Sequence, residues 1–377
     1  MLVGAPRKAG LYVVHVVPYY PPHIGGMERV AEDIVTELST DLEVSVLTSR
    51  LGEAGLAASP TSSKVTVRRL WALELAHTPV MPTLLFHLLR LPRASIVHVH
   101  LPVAFAPELV WITSLVTRRR YVAHYHLDAD PSGPLGRLFV WYKRVVMSRV
   151  LQGASAVIAV SSDQPATLVH GHGVPASKVK LIPNGIDRRF VPAQQDRPAP
   201  GRPFQLLFVG RLAPQKNAGL LIDALARCTT DCHLLVVGDG EERDALRARV
   251  VELDLQDRVT FRGPLSGRLL VEAYQRSDAL VLPSRKESTG LVLLEAMACG
   301  VPVVGTRVQG ITETVGADGI LVDPDPGELA MAIDRLATDD RLWRELSVRG
   351  LRRSHDHSWS TSISAMRHLY AEMGENS

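Results

Sequence analysis

The chain of 377 residues is poor in cysteine (three) and in aromatic residues (5%), and its net charge is only +3. Cys228, Cys232 and Cys299 are too few and too unevenly spaced for a disulfide framework or a four-ligand zinc site, which points to a reducing, cytoplasmic compartment. The charged fraction of 21% is spread along the chain, so the balance gives no support for nucleic acid as a partner. No apolar run approaches the roughly 20 residues of a spanning helix. LYVVHVVPYY, which follows Arg7 and Lys8, has only strand length and ends in prolines; it reads as a first core strand, not a signal peptide. Short repeats and low-complexity tracts are also lacking.

What is present is alternation. Short β-rich runs (Tyr12 to Val17, Val44 to Thr48, Ser95 to His100, Tyr121 to His126) are separated by helical patterns such as Glu28 to Leu38 and Ala106 to Val116. That is the signature of a parallel sheet covered on both faces. Prolines 183, 192, 198, 200 and 203 then crowd a stretch without periodicity, and the alternation restarts at Gln205. The expectation is an α/β protein of two Rossmann-like doubly wound domains facing a cleft, with boundaries at 1–187, a linker at 188–203 and a second domain at 204–356. Ligands are expected at the carboxyl ends of the strands.

The stretch RKESTGLVLLEAMACG, 285–300, sets Glu287 and Glu295 on either side of a helix start opened by Gly290. The free amides of such a helix suit an anion, and a carboxylate at Glu295 suits a vicinal diol such as a ribose. Taken alone, the pair is as easily a loop acid and a surface helix acid. The loop FVGRLAPQKN places Arg211 and Lys216 at the mouth of the next helix, with Asn217 as its N-cap. Two fixed cations with helix amides can hold a diphosphate without a metal; alone, they are ordinary surface cations. Gly25-Gly26 removes side chains at another helix start, as a plain turn also requires.

His124 and His126 alternate on one strand and share a face, and His98 and His100 do the same on another. Four histidines invite a metal reading, but parallel strands do not guarantee convergence, so His98 and His100 are read as core or cleft-lining. Asp128-Ala-Asp130 spells a metal–diphosphate motif but reads as acidic turn residues. GDGEER carries two of the three glycines of a dinucleotide fingerprint, a weak match. Leu135 to Leu151 is a basic amphipathic pattern that can lie peripherally on the inner face of an anionic membrane; a domain helix with a solvated face is the preferred reading.

Six segments in order, YYPPHIGGMERVAEDIVTEL, IPNGIDRRF, FVGRLAPQKNAGLLIDAL, VVGDGEER, SDALVLPSRKESTGLVLLEAMACGVPVVGT and GILVDPDP, resemble the retaining family 4 glycosyltransferases of GT-B fold. The resemblance covers nearly the whole chain. It implies a donor diphosphate at Arg211 and Lys216, ribose hydroxyls at Glu295, the transferred sugar at Glu287, and phosphates or sugar at the backbone of Gly290, Leu291 and Val292. It also implies His126 beside the sugar, Gly25 and Gly26 against donor phosphate or acceptor, Gly238 and Gly240 near the nucleotide, and Arg262 with Gly263 at the base. Residues 357–377 resemble the closing helix that packs back on the first domain. Where such enzymes often carry an aromatic before the glycine, this chain has Thr289.

The implied activity is a metal-independent, cofactor-free retaining transfer of a hexose-type sugar from a nucleoside diphosphate, UDP favoured, to a hydroxyl acceptor of unread class. The catalytic set is His126, Glu287, Arg211 and Lys216. The rivals are a catalytically silent nucleotide-sugar-binding protein of the same fold, a nicotinamide enzyme, and a phosphorylase running the reverse reaction.

Overall fold

The structure, a computed structural model, describes residues 11–23, 25–51, 65–75, 78–101, 104–126, 140–193 and 203–375. Two compact units divide the chain, one of residues 1–184 with 359–377, the other of 185–358. The chain therefore changes unit at Asn184 and again at Ser358, within a few residues of the boundaries expected at 187 and 356.

The first unit is built on β1 (Tyr12–Val16), β2 (Glu43–Ser49), β3 (Val65–Leu70), β6 (Ile96–Leu101), β7 (Tyr121–Tyr125), β8 (Ala156–Ala159) and β9 (Val179–Leu181). They pair in parallel in the order β3-β2-β1-β6-β7-β8-β9. Helices α1 (Gly26–Leu38), α2 (Leu84–Leu89), α3 (Ala106–Thr117) and α4 (Ser148–Gly153) connect them. Central strands such as YVVHV are buried throughout, which is why they read as continuous apolar runs. The order reverses between β1 and β6, and a ligand crevice forms outside the carboxyl ends at such a switch point.

In the second unit β10 (Phe204–Val209), β11 (Cys232–Val237), β12 (Val259–Gly263), β13 (Ala279–Leu282), β14 (Val303–Thr306) and β15 (Ile320–Val322) pair in parallel in the order β12-β11-β10-β13-β14-β15. Helices α5 (Ala218–Leu225), α6 (Arg243–Glu252), α7 (Gly267–Gln275), α8 (Leu291–Ala298), α9 (Gln309–Val315), α10 (Pro326–Thr338) and α11 (Asp340–His355) follow in turn. The switch lies between β10 and β13, so the loop carrying Arg211 and Lys216 and the loop carrying Glu287 flank one crevice.

The last helix, α12 (Trp359–Glu375), belongs to the first unit. Buried Trp359, Ile363, Met366 and Tyr370 form its inner face. Trp359 Nε1 donates to Asp33 at 3.3 Å, Arg367 to the Glu37 carbonyl at 3.0 Å, and Arg120 to the Met373 carbonyl.

Three features depart from the sequence reading. The segment between β3 and α2 contains the antiparallel hairpin β4 (Leu73–Leu75) and β5 (Thr78–Val80), which the strand–helix alternation does not predict. Short α9 and β15 lack enough periodicity to stand out and were not anticipated. Within the expected helix Leu135 to Leu151, Lys143–Met147 forms a π-helical turn that leads into α4, while 135–139 lie outside the described residues, as do Asp128 and Asp130.

Candidate active site

In the second unit Lys216 Nζ lies 2.5 Å from Glu287 Oε2, which also accepts the Ser284 hydroxyl at 3.3 Å. The side chains are 22% and 9% exposed, so the pair is nearly withdrawn from water, yet the lysine still faces outward. The two loops are stitched together beneath it: the Arg285 amide donates to the Gln215 carbonyl at 2.8 Å, and Gln215 Nε2 donates to the Lys286 carbonyl at 2.9 Å. Gln215 and Ser284 were not singled out from sequence, because neither type signals a loop clamp by itself.

Gly290 is the N-cap of α8, at φ +61°, and Leu291 and Val292 form the partly buried first turn. That left-handed backbone is what glycine supplies at little cost. Gly238, at φ +139°, lets β11 close on the neighbouring loop, since a Cβ there would sit 1.9 Å from the Gly210 carbonyl oxygen. The Gly210 amide donates to the Val237 carbonyl at 3.0 Å and the Gly238 amide to the Gly263 carbonyl at 3.0 Å, so the ends of β10, β11 and β12 form one continuous platform. Arg262 is exposed beside Gly263.

Arg211 stands apart from the Lys216 pair. It contacts Glu241 at 3.1 Å with both side chains more than half exposed. Such an exposed pair contributes at most about 1 kcal/mol, which leaves the guanidinium able to exchange Glu241 for a stronger anion. Glu295 is buried, and its Oε2 accepts the hydroxyl of fully buried Tyr274 at 2.6 Å. The open carboxylate pictured from the sequence is thus held by a tyrosine that gave no signal. Thr289 is buried as well; its carbonyl accepts the Thr314 hydroxyl and its own hydroxyl has no hydrogen-bond partner.

In the first unit Gly26 is open, with nothing near where a Cβ would stand, and Gly25 is extended at the N-cap of α1. The positive end of that helix is occupied by the chain's own Glu28, whose Oε2 would lie 2.1 Å from a Cβ on Gly25 and whose Oε1 is 3.0 Å from His23 Nδ1. Glu28 is the acid of the first turn, where a negative charge offsets the positive end of the helix.

His126 follows β7, its amide donating to the Leu101 carbonyl at 3.3 Å and its own carbonyl accepting from Gln164 at 3.3 Å. Its ring joins a stack. His126 Nε2 is 2.8 Å from His100 Nδ1, His100 Nε2 is 3.0 Å from His15 Nδ1, His98 Nε2 is 3.0 Å from His124 Nδ1, and His98 Nδ1 is 2.5 Å from the Tyr370 hydroxyl. The registers His15↔His98 and His100↔His124 bring these rings together across three adjacent strands. Convergence, which the sequence argument did not grant, therefore occurs. Ring nitrogens 2.8 to 3.0 Å apart make this a hydrogen-bonded stack, within which His15, His98 and His100, and likewise His100, His124 and His126, each bring three nitrogens within 4.8 Å of one another, a grouping that could hold a metal ion. Burial lowers the pKa of His15 and of His126 to about 3 and holds His98, His100 and His124 well below the ordinary value, where neighbouring histidines push the same way.

Sequence and fold comparisons identify what the chain is similar to. The Glycosyltransferase Family 4 description matches residues 24–190 and that of Glycosyl transferases group 1 matches 203–339. Sucrose-phosphate synthase from Thermosynechococcus elongatus superposes with a TM-score of 0.78 at 24% identity, covering 97% of this chain and 100% of that one. Anabaena Alr3699/HepE, solved in complex with UDP and glucose, superposes at 0.75 with 21% identity, covering 97% and 100%. The two Rossmann-like parallel-sheet units are thus those of a GT-B glycosyltransferase. D-inositol 3-phosphate glycosyltransferase from Corynebacterium jeikeium is 32% identical over 71% of this chain and 67% of its own length. The same-named enzyme from Pseudarthrobacter chlorophenolicus is 32% identical, but the match spans only 57% of its length. The chain belongs to glycosyltransferase family 4.

Proposed function

We propose that the protein transfers a hexose-type sugar from a nucleoside diphosphate, UDP favoured, to a hydroxyl acceptor, with retention of configuration and without a metal ion. The Lys216–Glu287 pair at the β10/β13 switch point carries this reading. A diphosphate gains charge as its bond to sugar breaks, and a fixed ammonium beside helix amides stabilises that charge more than the ground state. Lys216 and Arg211 take the diphosphate, the amides at Gly290, Leu291 and Val292 add donors, Glu295 takes the ribose, and Glu287 orients the sugar. Gly238, Arg262 and Gly263 border the nucleotide, and in the first unit open Gly26 leaves room for the acceptor, while the Glu28 carboxylate occupies the helix end beside Gly25. The acceptor oxygen bonds to the anomeric carbon on the face the diphosphate leaves, and its proton passes to the leaving phosphate oxygen. UDP bound in the Anabaena neighbour supports the choice of base.

Purified protein titrated with UDP should gain about 2.7 kcal/mol of stability at a hundredfold excess over the dissociation constant. UDP-hexose should then be hydrolysed or transferred in the presence of EDTA. Binding without any turnover would identify a silent sugar-nucleotide binder, and loss of turnover in EDTA would remove the metal-free mechanism.

A further inference from the structure

The first unit contains a cavity of about 640 Å³ between α2, the start of α3 and the Trp141–Val146 turn, within the range of small-molecule sites. Met81, Leu84, Leu109 and Val146 line it, and Phe105 and Trp141 line it while standing 46% and 56% exposed. Among the described lining residues Glu108, Tyr142 and the Trp141 indole N–H bring polar atoms, and none is a cation.

Two local features set it apart from a packing void. Phe105 sits at φ +73° with no glycine to ease it, a strained backbone of the kind that persists where the surroundings impose it. Glu108 Oε1 accepts the Tyr142 hydroxyl, while Oε2 is buried without a hydrogen-bond partner. Burial raises the pKa of this carboxyl, against the lowering pull of the Tyr142 hydroxyl and of the Glu108 and Phe105 backbone. Oε2 has almost no accessible surface, so the wall presents an essentially apolar face to a guest. The location is also informative. Ala104 and Phe105 belong to the segment between β6 and α3, and β6 ends at Leu101, whose carbonyl holds the amide of His126.

We infer that this cavity binds the apolar skeleton of the acceptor, a hydrophobic alcohol or phenol of drug-like size whose hydroxyl receives the sugar; this rests on the transfer reaction proposed above. An apolar guest fits this lining better than a phosphorylated polyol, whose phosphate would stand beside the Glu108 carboxyl with no cation among the described lining residues. In the reaction the guest's O–H bond is lost, its oxygen bonds to the anomeric carbon, the anomeric carbon–phosphate oxygen bond breaks, and the proton leaves on the diphosphate.

The full chain should bind the neutral fluorophore N-phenyl-1-naphthylamine saturably at one site, with 1-naphthol displacing it. Ala104→Trp, which fills the mouth, should weaken binding at least tenfold. Phe105→Gly, which removes the ring while relieving the backbone, should weaken it several-fold, with the UDP-induced thermal shift intact in both as the check on folding. Transfer from UDP-hexose to 1-naphthol should show a raised KM for the acceptor in Ala104→Trp, with kcat little changed. Absence of saturable binding, or equal binding by Ala104→Trp, while the donor is still turned over overturns the cavity assignment alone. Intact probe binding with no turnover of any sugar nucleotide strikes the transfer reaction and the acceptor role with it.

Discussion

Lys216→Ala is expected to lower kcat at least about 30-fold, equivalent to about 2 kcal/mol of lost transition-state stabilisation. The lysine faces the crevice between the β10 and β13 loops and is already paired with Glu287 at 2.5 Å, so its charge is positioned before any ligand arrives. A cation held in place needs no reorganisation when the diphosphate leaves, and the loss should appear in kcat more than in KM. Truncation also strands Glu287, only 9% exposed, beside the Ser284 hydroxyl that it accepts. Breaking a buried pair from one side costs about 3–5 kcal/mol, and the partial exposure of Lys216 puts this case toward or below the lower end. Glu287→Gln in the Lys216→Ala background should recover part of that stability and none of the rate. Near-normal turnover by Lys216→Ala would remove it from the leaving group.

Lys216 and Glu287 each stood out in the sequence because glycine, cations and a carboxylate sit in loops after predicted strands, and the strand alternation fixes which end of the sheet those loops occupy; that the two pair was not legible. Tyr274 was not legible: it meets Glu295 by a hydrogen bond from α7 to α8, and nothing in the local pattern of either helix reports that. Nor was the histidine stack. Period-two spacing places His98 with His100 and His124 with His126 on shared faces, but pairing them, and adding His15, requires the order β1-β6-β7, which is a property of the whole sheet. Phe105 and Glu108 look like an ordinary helix start until the cavity beside them is seen. The β4–β5 hairpin was missed because its two strands are only three residues each and carry no turn signal that sequence reasoning weighs.

The first unit should lose stability steeply in mild acid. His15, His98, His100, His124 and His126 are neutral in the folded protein down to far below pH 6.5, with His15 and His126 near 3, whereas the unfolded chain protonates them near 6.5. The unfolded state therefore binds more protons as pH falls through 6.5, and each group removes up to about 1.4 kcal/mol of stability per pH unit until its folded value is reached. Five such groups amount to several kcal/mol between pH 6.5 and 5.5, a large part of a typical domain's stability. Urea unfolding at pH 7.5, 6.5 and 5.5 should show this loss, and His124→Leu, which removes a ring with a buried unpartnered Nε2, should make the dependence shallower. Stability that stays flat across this range would contradict the neutral stack.

The reaction itself is tested most directly by proton NMR of the anomeric centre during turnover. With an α-linked UDP-hexose and a hydroxyl acceptor, the protein should release a product whose anomeric proton shows the small coupling of an α linkage. This follows from attack on the face the diphosphate vacates, with Lys216 on the leaving group and no enzyme carboxylate displacing it from behind. A β-linked product would contradict the account.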